Sequence, residues 1–239
     1  MSPVACRSTV AHLPLDRETI SPYRVDPLRG DAVRGWIYDV AFSPLTTRWY
    51  AEVLRRLPMG SHLLDVGIGT GGALSKNARL VRERDLRVTG VDIDPDYVRR
   101  SQRNLEKAGL DDLVDVMAES VYDHKGGPYD AVYFSASFML LPQPARALQH
   151  VASLLSSEGR VFFTQTFQEK RSALVERAKP LLGRVTTIEF GQVTYEDDFL
   201  STIDRGGLEL FELTTLKSSR ARTYRLAVGV PRGMEPIRE

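Results

Sequence analysis

The stretch LLDVGIGTGGAL, residues 63–74, constrains the fold more than any other part of the chain. An apolar run contains Asp65, and four glycines then fall within six residues, from Gly67 to Gly72. A glycine-rich turn between a strand and a helix lets the backbone approach a ligand closely and presents amide N–H groups to it. The spacing of Gly67, Gly69 and Gly72 also fits the dinucleotide pattern G-x-G-x-x-G. The stretch therefore predicts a ligand-binding loop in an α/β fold.

Strand and helix patterns alternate along the chain from His62 onward. Apolar runs predict strands at HLLDVG, LRVTGVD, LVDVMAES, YDAVYFSAS and RVFFTQTF, and amphipathic stretches predict helices at GALSKNARLVRER, DYVRRSQRNLEKAG and QPARALQHVASLLSSEG. Asp94 and Pro95 form a helix start, and Gly109 and Gly159 mark helix ends. This alternation predicts a mainly parallel sheet covered by helices on both faces.

The end of the chain breaks this alternation. Thr194 is the predicted N-cap of a helix through YEDDFLSTIDRGG. The two strand patterns that follow, LELFELTTLKS and TYRLAVGV, are separated only by SRAR. A link that short suits a hairpin but not a parallel crossover, so these two strands are predicted to be antiparallel.

The N-terminal region is predicted to consist of a flexible tail over residues 1–20 and a helical cap over residues 21–58, before a main domain over residues 59–239. The cap is expected as two helices interrupted at Ser43–Pro44. The first fifteen residues contain one arginine and no acidic residue, which leaves an organellar location open beside the cytoplasmic one that we expect. The lone cysteine, Cys6, fits a reducing compartment, and no apolar run approaches the length of a membrane span.

Carboxylates lie at the ends of three of the predicted strands and restrict which ligand the loop can bind. Asp65 precedes the first glycine by two residues, where it would repel a pyrophosphate and attract a cationic ligand. Asp92 lies 25 residues beyond Gly67, close to the spacing expected for an acid that binds ribose hydroxyls. Glu119 ends the next strand, beside Ala118, at an expected adenine pocket. S-adenosylmethionine carries an ammonium, a sulfonium, a ribose and an adenine, and it fits this pattern better than a dinucleotide does.

The segments LLDVGIGTGG, VTGVDIDPDYVRRSQRN, VDVMAES, YDAVYFSASFMLLP and LLSSEGRVFFTQTF resemble, in order, the signature segments of class I S-adenosylmethionine-dependent methyltransferases. The resemblance extends from about Leu54 to Val230 and implies S-adenosylmethionine as the cofactor. It also implies a Rossmann-like three-layer sandwich, with a seven-stranded, mostly parallel sheet, an antiparallel C-terminal hairpin and an N-terminal helical cap.

The same resemblance assigns cofactor contacts residue by residue. The methionine part of the cofactor is expected at Asp65, Gly67, Ile68, Gly69, Thr70 and Gly71, the ribose at Asp92, the adenine at Ile93, and the reactive end at Ser135 and Ala136. Ala118 and Glu119 are expected at the adenine from their position at the end of the next strand.

The expected reaction is methyl transfer to a small, apolar or amphipathic molecule. A sulfonium is already an activated leaving group, so the protein mainly has to orient a nucleophile and exclude water, and no metal and no catalytic base are assigned. The segment SASFMLLP lacks the N/D-P-P-Y/F/W pattern of many enzymes that methylate nucleobases or glutamine. Aromatic residues of the cap region and the loops could enclose the acceptor or could simply pack the helices on the sheet. The candidate acceptor contacts are Tyr23, Tyr38, Phe138 and Tyr195.

The sequence leaves several other functions open. The net charge of +1 indicates no dedicated nucleic-acid surface, although methylation of RNA or protein is an alternative. A nicotinamide oxidoreductase is disfavoured by Asp65 and by the absence of a Y-x-x-x-K pair. A non-catalytic assembly or regulatory subunit that binds the same cofactor is the remaining alternative. Peripheral contact with a membrane and the oligomeric state are left open by the sequence.

Overall fold

A computed structural model describes residues 31–168, 194–219 and 222–233, with side chains from residue 44 onward. The helices are α1 Asp31–Arg56, α2 Gly72–Ser75, α3 Ala78–Glu83, α4 Pro95–Lys107, α5 Pro144–Ser153 and α6 Glu196–Arg205, with a 3-10 turn at Phe138–Leu140. The strands are β1 His62–Val66, β2 Arg87–Asp92, β3 Val114–Ala118, β4 Tyr129–Ser135, β5 Leu155–Gln168, β6 Leu208–Ser218 and β7 Arg222–Pro231.

All seven strands form one sheet in the order β3-β2-β1-β4-β5-β7-β6. The first five strands are parallel, and β7 is inserted antiparallel between β5 and β6. This confirms the predicted seven-stranded sheet and its antiparallel hairpin. Because the strand order reverses between β1 and β4, the connections leave these two neighbours toward opposite faces of the sheet, which opens a crevice at their carboxyl ends.

The sheet has a packed hydrophobic layer on each face. On the face that bears α1 to α4, Leu54 and Leu57 of α1 pack with Leu63 of β1 and Phe162 of β5. The opposite face, under α5 and α6, is rich in phenylalanine. Its rings contact one another at centroid distances of 5.0 to 5.9 Å and come from Phe134, Phe138, Phe163, Phe167 and Phe199.

Helix α1 corrects the prediction of two separate helices, because it continues through Pro44. Proline has no backbone N–H, so the helix loses one backbone hydrogen bond at Pro44. The φ of proline is compatible with a helix, so the helix can continue past it. Burial of Trp49, Tyr50 and Val53 against the domain stabilises the helix beyond the proline. The division of residues 1–58 into tail and cap stays a prediction, since residues 1–30 lie outside the described part.

The helix predicted after the glycine loop is divided into α2 and α3. The side-chain amide of Asn77, in the interruption, donates to the carbonyls of Ala73 at 2.8 Å and of Thr47 at 3.0 Å. An amide that binds backbone carbonyls competes with the regular helical pattern. The contact with Thr47 also ties the loop region to α1.

Two further helix boundaries differ from the predictions. Helix α5 ends at Ser153, and Gly159 lies inside β5 instead of closing the helix. At Gly159 a Cβ would come within 2.8 Å of the Tyr129 carbonyl oxygen, so close packing of neighbouring strands explains the glycine. The N-cap of α6 is Tyr195, because Thr194 instead forms a β-bridge with Phe167.

The start of α4 is as predicted. Asp94 is its N-cap and accepts a hydrogen bond from the Asp96 amide at 2.8 Å, and Pro95 is the first helical residue. Gly109 follows the last turn with a φ of 66°, in the left-handed region that favours glycine. Among the helices of the described residues, none combines the length and the apolar character needed to cross a membrane.

Candidate cofactor site at the carboxyl edge of the sheet

The glycine loop lies over the carboxyl ends of β1 and β2. Gly67 donates to the Val91 carbonyl at 2.8 Å, and the Gly69 amide donates to Asp92 Oδ2 at 2.9 Å. Gly67, Gly69 and Gly71 all have positive φ values, of 76°, 60° and 66°. A Cβ on Gly69 would have no atom within 4 Å, so this residue faces open space. The loop thus presents bare backbone to any ligand at the edge of the sheet.

Gly71 is the loop position where a side chain is least compatible with the structure. Its added Cβ would overlap Ser101 Oγ of α4, and its φ of 66° is strained for any L-residue. We expect Gly71→Ala to lower the free energy of unfolding by about 1–3 kcal/mol more than Gly207→Ala does. Gly207 is the matched control because its φ is 81° and its Cβ would have nothing within 4 Å. Urea unfolding of both variants measures the difference, and equal losses would contradict the expectation.

Asp65 is fully buried at the end of β1, with no exposed surface. Its Oδ2 accepts a hydrogen bond from the Tyr50 hydroxyl at 2.7 Å, whereas its Oδ1 has no hydrogen-bond partner. Burial raises the pKa of this carboxyl to about 7, and the Tyr50 hydrogen bond opposes that shift. A buried carboxylate oxygen without a donor is costly, so its presence calls for a ligand that supplies one.

Buried polar side-chain atoms without a partner concentrate near the carboxyl edge of the sheet. On the face of α1, Ser135 Oγ at the end of β4 and Trp49 Nε1 of α1 join Asp65 Oδ1. Within the described residues, the other such atoms belong to Ser101, which packs on Gly71, and to Gln165 and Arg225 near the carboxyl end of β5. Native structures leave few buried polar atoms unsatisfied, so this concentration makes the carboxyl edge the candidate site for a polar ligand.

Asp92 connects the glycine loop to the turn before α4. Its Oδ2 accepts from the Gly69 amide, and its Oδ1 accepts from the Asp94 amide at 3.0 Å. Burial raises the pKa of Asp92, and these backbone hydrogen bonds oppose the shift. Each oxygen retains a second lone pair, so the carboxylate can accept from a pair of hydroxyls as well.

The region expected to bind adenine is partly open. Ile93 is 64% exposed, and Ala118 is exposed at the end of β3. Glu119 Oε1 is hydrogen-bonded to His124 Nδ1, and His124 Nε2 lies 2.7 Å from the Tyr129 hydroxyl. One carboxylate oxygen of Glu119 is therefore engaged inside the protein, which sequence reasoning did not anticipate.

The chain after β4 is held by hydrogen bonds to both neighbouring strands, β1 and β5. The Ala136 amide donates to the Thr164 carbonyl at 2.8 Å, and the Ser137 hydroxyl donates to the Val66 carbonyl. Ala136 has a φ of 56°, which is uncommon outside glycine and is found at ligand sites. Ser135 and Ala136 thus lie beside the glycine loop, since Ser137 packs directly on Gly67.

Among the predicted acceptor contacts, Phe138 is buried in the phenylalanine-rich layer, and Tyr195 is buried at the start of α6. Tyr38 lies in α1, but its side chain is outside the described part, as are Tyr23 and the stretch 173–192. All predicted site residues with described side chains occupy the carboxyl edge, but their contacts with a ligand stay predictions. Sequence reasoning did not anticipate the hydrogen bond from Tyr50 to Asp65 or the burial of polar atoms of Gln165 and Arg225, because these depend on contacts between distant segments.

Comparison with known proteins agrees with this architecture. Residues 64–163 match the family model described as a methyltransferase domain. The ribosomal protein L11 methyltransferase of Desulforamulus reducens is 29% identical over 154 residues, which cover 63% of this chain and 48% of that protein. The ubiquinone biosynthesis O-methyltransferase of Paracidovorax citrulli is 27% identical over 225 residues, which cover 92% of this chain and 78% of that protein.

A solved S-adenosylmethionine-dependent methyltransferase from Aquifex aeolicus superposes with a TM-score of 0.63 at 16% identity, over 84% of this chain and 100% of that chain. At that identity the likeness concerns the fold. The chain spans between 44% and 65% of the length of four curated relatives that it matches.

Residues 64–163 match a methyltransferase domain, and the chain has the class I, Rossmann-like fold of S-adenosylmethionine-dependent methyltransferases. S-adenosylmethionine is the cofactor of this class, and solved structures of the same fold hold S-adenosylhomocysteine. The resemblance, the fold and the cofactor predicted from the sequence are thereby confirmed.

Proposed function

We propose that this protein transfers the methyl group of S-adenosylmethionine to a small, apolar or amphipathic acceptor, by in-line displacement without a metal. The observation that carries the proposal is the buried Oδ1 of Asp65, which lacks a donor at the start of the glycine loop. An ammonium group supplies that donor together with the positive charge that a buried carboxylate requires.

The residues at the carboxyl edge fit this cofactor. Asp65 would accept from the ammonium, the backbone of Gly67 and Gly69 would lie against the methionine part, and Asp92 would accept from the ribose hydroxyls. The exposed Ile93 side chain offers an apolar surface to adenine. When bound, S-adenosylmethionine supplies a methyl group on a positively charged sulfur, which is a good leaving group.

The protein contributes mainly by positioning the acceptor and excluding water. Phe138, Phe163 and Phe167 are buried in the hydrophobic layer next to the chain after β4, so the protein around this part of the carboxyl edge is apolar. Among the described residues, no group of three His, Cys, Asp or Glu has the arrangement needed to hold a metal ion. The segment SASFMLLP after β4 supports a small acceptor over a nucleobase or a glutamine side chain.

A thermal-shift assay with S-adenosylmethionine, S-adenosylhomocysteine and NAD in parallel tests the proposed cofactor. At about 100 times its dissociation constant, a ligand adds about 2.7 kcal/mol to the free energy of unfolding. For a domain of this size we expect the two sulfur ligands to raise the melting temperature by about 5–10 °C and NAD to leave it unchanged. A shift with NAD alone would contradict the proposal.

Turnover is tested separately with a methyl-labelled donor and a panel of phenols, quinols and amines, alongside a ribosomal protein fraction and bulk RNA. Label in a small molecule supports the proposal. Label in protein or RNA alone would favour the macromolecular alternative. Binding of S-adenosylhomocysteine with no transfer to any acceptor would favour a non-catalytic, cofactor-binding subunit.

A further inference from the structure

Gln165 is a buried polar residue that the proposed cofactor contacts do not use. It lies near the carboxyl end of β5 with 1% of its surface exposed, and neither its Oε1 nor its Nε2 has a hydrogen-bond partner. Burying an amide without partners costs free energy comparable to one or more lost hydrogen bonds. A glutamine retained there therefore points to a ligand that both donates to and accepts from it.

Gln165 faces the phenylalanine-rich side of the sheet, level with the carboxyl end of β4. Phe163 and Phe167, two residues before and after it, belong to the phenylalanine-rich layer, and alternate residues of a strand face the same side. The preceding residue, Thr164, pairs in register with Ser135, and its carbonyl accepts from the Ala136 amide. Gln165 is thus one strand away from the chain that is expected at the reactive end of the cofactor.

Arg225 adds a cation to the same position. It is the register partner of Gln165 on β7, and its guanidinium lies 5.9 Å from the centroid of the Phe167 ring. One of its terminal nitrogens pairs with Glu196 Oε2 at 2.8 Å, whereas its buried Nε has no partner. The Glu196 carboxylate is partly exposed, so this ion pair leaves Arg225 available to a second, more buried anion.

The polar atoms of Gln165 and Arg225 that lack a partner include more hydrogen-bond donors than acceptors, which favours an anionic ligand. Gln165 Nε2 offers two N–H donors and Arg225 Nε offers one, whereas Gln165 Oε1 is the single acceptor without a partner. A carboxylate accepts from both side chains, and an adjacent hydroxyl can donate to Oε1. Phe167 and Phe199 pack on each other next to this pair, so an aromatic ring that carries these groups would have apolar neighbours.

We propose that Gln165 and Arg225 bind the carboxylate of an aromatic carboxylic acid and so orient it as the methyl acceptor. This assignment rests on the proposed function, because it places the acceptor beside the cofactor site. Gln165 and Arg225 act here as specificity-determining residues that contact the acceptor and take no part in the transfer itself.

Binding to the protein saturated with S-adenosylhomocysteine tests the assignment without requiring turnover. The probes are 4-hydroxybenzoate, 3,4-dihydroxybenzoate and 4-aminobenzoate, each compared with its methyl ester by saturation-transfer NMR titration. We expect at least one acid to bind about tenfold or more tightly than its ester, as one charge-assisted hydrogen-bonded contact predicts. Esters that bind as well as the acids, or acids that do not bind, would overturn the assignment.

Variants separate a specific contact from a structural one. Gln165→Met keeps the length of the side chain and should lose about tenfold in affinity for the acid while leaving the ester unchanged. Gln165→Glu keeps the shape but adds a negative charge, and it should abolish the preference for acids. Gln149→Met, on the exposed face of α5, is the matched control. Acid preference that survives in both Gln165 variants contradicts the proposal.

The affinity for S-adenosylhomocysteine, measured in the same samples, distinguishes a failure of the proposed function from a failure of the Gln165 assignment. We expect it to be unchanged in every Gln165 variant, because Gln165 faces the phenylalanine-rich side of the sheet and Asp65 faces the opposite side. Wild-type protein that binds no S-adenosylhomocysteine would overturn the proposed function and this assignment with it. Normal cofactor binding without acid preference would overturn the assignment alone.

Discussion

Asp65→Asn is expected to stabilise the ligand-free protein at pH 8 by about 2–4 kcal/mol and to abolish measurable cofactor binding. The carboxyl is buried with one oxygen unpaired, so its ionised form is held in an unfavourable environment until a cation arrives. Asparagine keeps the shape and can still accept from the Tyr50 hydroxyl. The variant therefore avoids the free-energy cost of burying an ionised carboxylate. It also lacks the negative charge that is proposed to bind the cofactor ammonium.

The pH dependence of this effect follows from the raised pKa. Asp65 titrates near 3.8 in the unfolded chain and at about 7 in the folded protein. Below pH 3.8 it is protonated in both states and carries no penalty. As the pH rises from 3.8 to about 7, the unfolded chain ionises first, so the wild-type protein progressively loses stability relative to the variant. A difference of about three pH units corresponds to about 4 kcal/mol at most.

Urea unfolding of both proteins at a series of pH values measures this difference directly. We expect the free energy of unfolding of Asp65→Asn, minus that of the wild type, to increase between pH 4 and pH 7 and to remain constant above pH 8. Asp123→Asn, at an exposed position after β3, serves as the control and should show no such trend. A variant less stable than the wild type at pH 8 would contradict this account of Asp65.

The second large effect is expected for Asp92→Ala, which should weaken S-adenosylhomocysteine binding by about 100-fold or more. The change removes the proposed acceptor of both ribose hydroxyls. It also removes the oxygen that receives the Gly69 amide and the oxygen that receives the Asp94 amide, so the loop and the start of α4 lose their connection.

Asp94→Ala is the matched control for Asp92→Ala. Asp94 is also an aspartate of the segment VDIDPD, but its carboxylate caps α4 through the Asp96 amide. Its loss should cost about 1 kcal/mol of stability and leave cofactor affinity within a few-fold of the wild type. Isothermal titration of both variants measures the affinities. Comparable losses in the two variants would show that Asp92 acts only through the fold.

The parts of the site that could be predicted are those encoded by short spacings. Asp65, the loop glycines and Asp92 follow their strands directly, and parallel strands bring their carboxyl ends to one edge. The cap of α4 is similarly local, since Asp94, Pro95 and Asp96 act within one turn. Short spacings of this kind are enough to predict a strand, the turn that follows it and the class of ligand expected to bind at that turn.

The features that escaped prediction depend on contacts between distant segments. Tyr50 reaches Asp65 from a different element, and the break at Asn77 depends on the Thr47 carbonyl of α1. In the sequence, Gly159 cannot be told from a glycine that ends a helix. In the structure, a glycine is needed there because the backbone of the neighbouring strand leaves no room for a Cβ. Gln165 lies in the run TQT, where a polar residue inside a strand pattern carries no signal of burial. Only the folded structure shows that it is enclosed and without partners.

Isothermal titration of S-adenosylhomocysteine at pH 6 and pH 8, in buffers of different ionisation enthalpy, tests the central claim most directly. If the cofactor ammonium binds the Asp65 carboxylate, binding must ionise a carboxyl whose pKa in the free protein is about 7. We expect about 0.9 proton to be released per ligand at pH 6 and about 0.1 at pH 8. Failure of the wild type to bind, or binding whose affinity and proton release are unchanged in Asp65→Asn, would contradict the account.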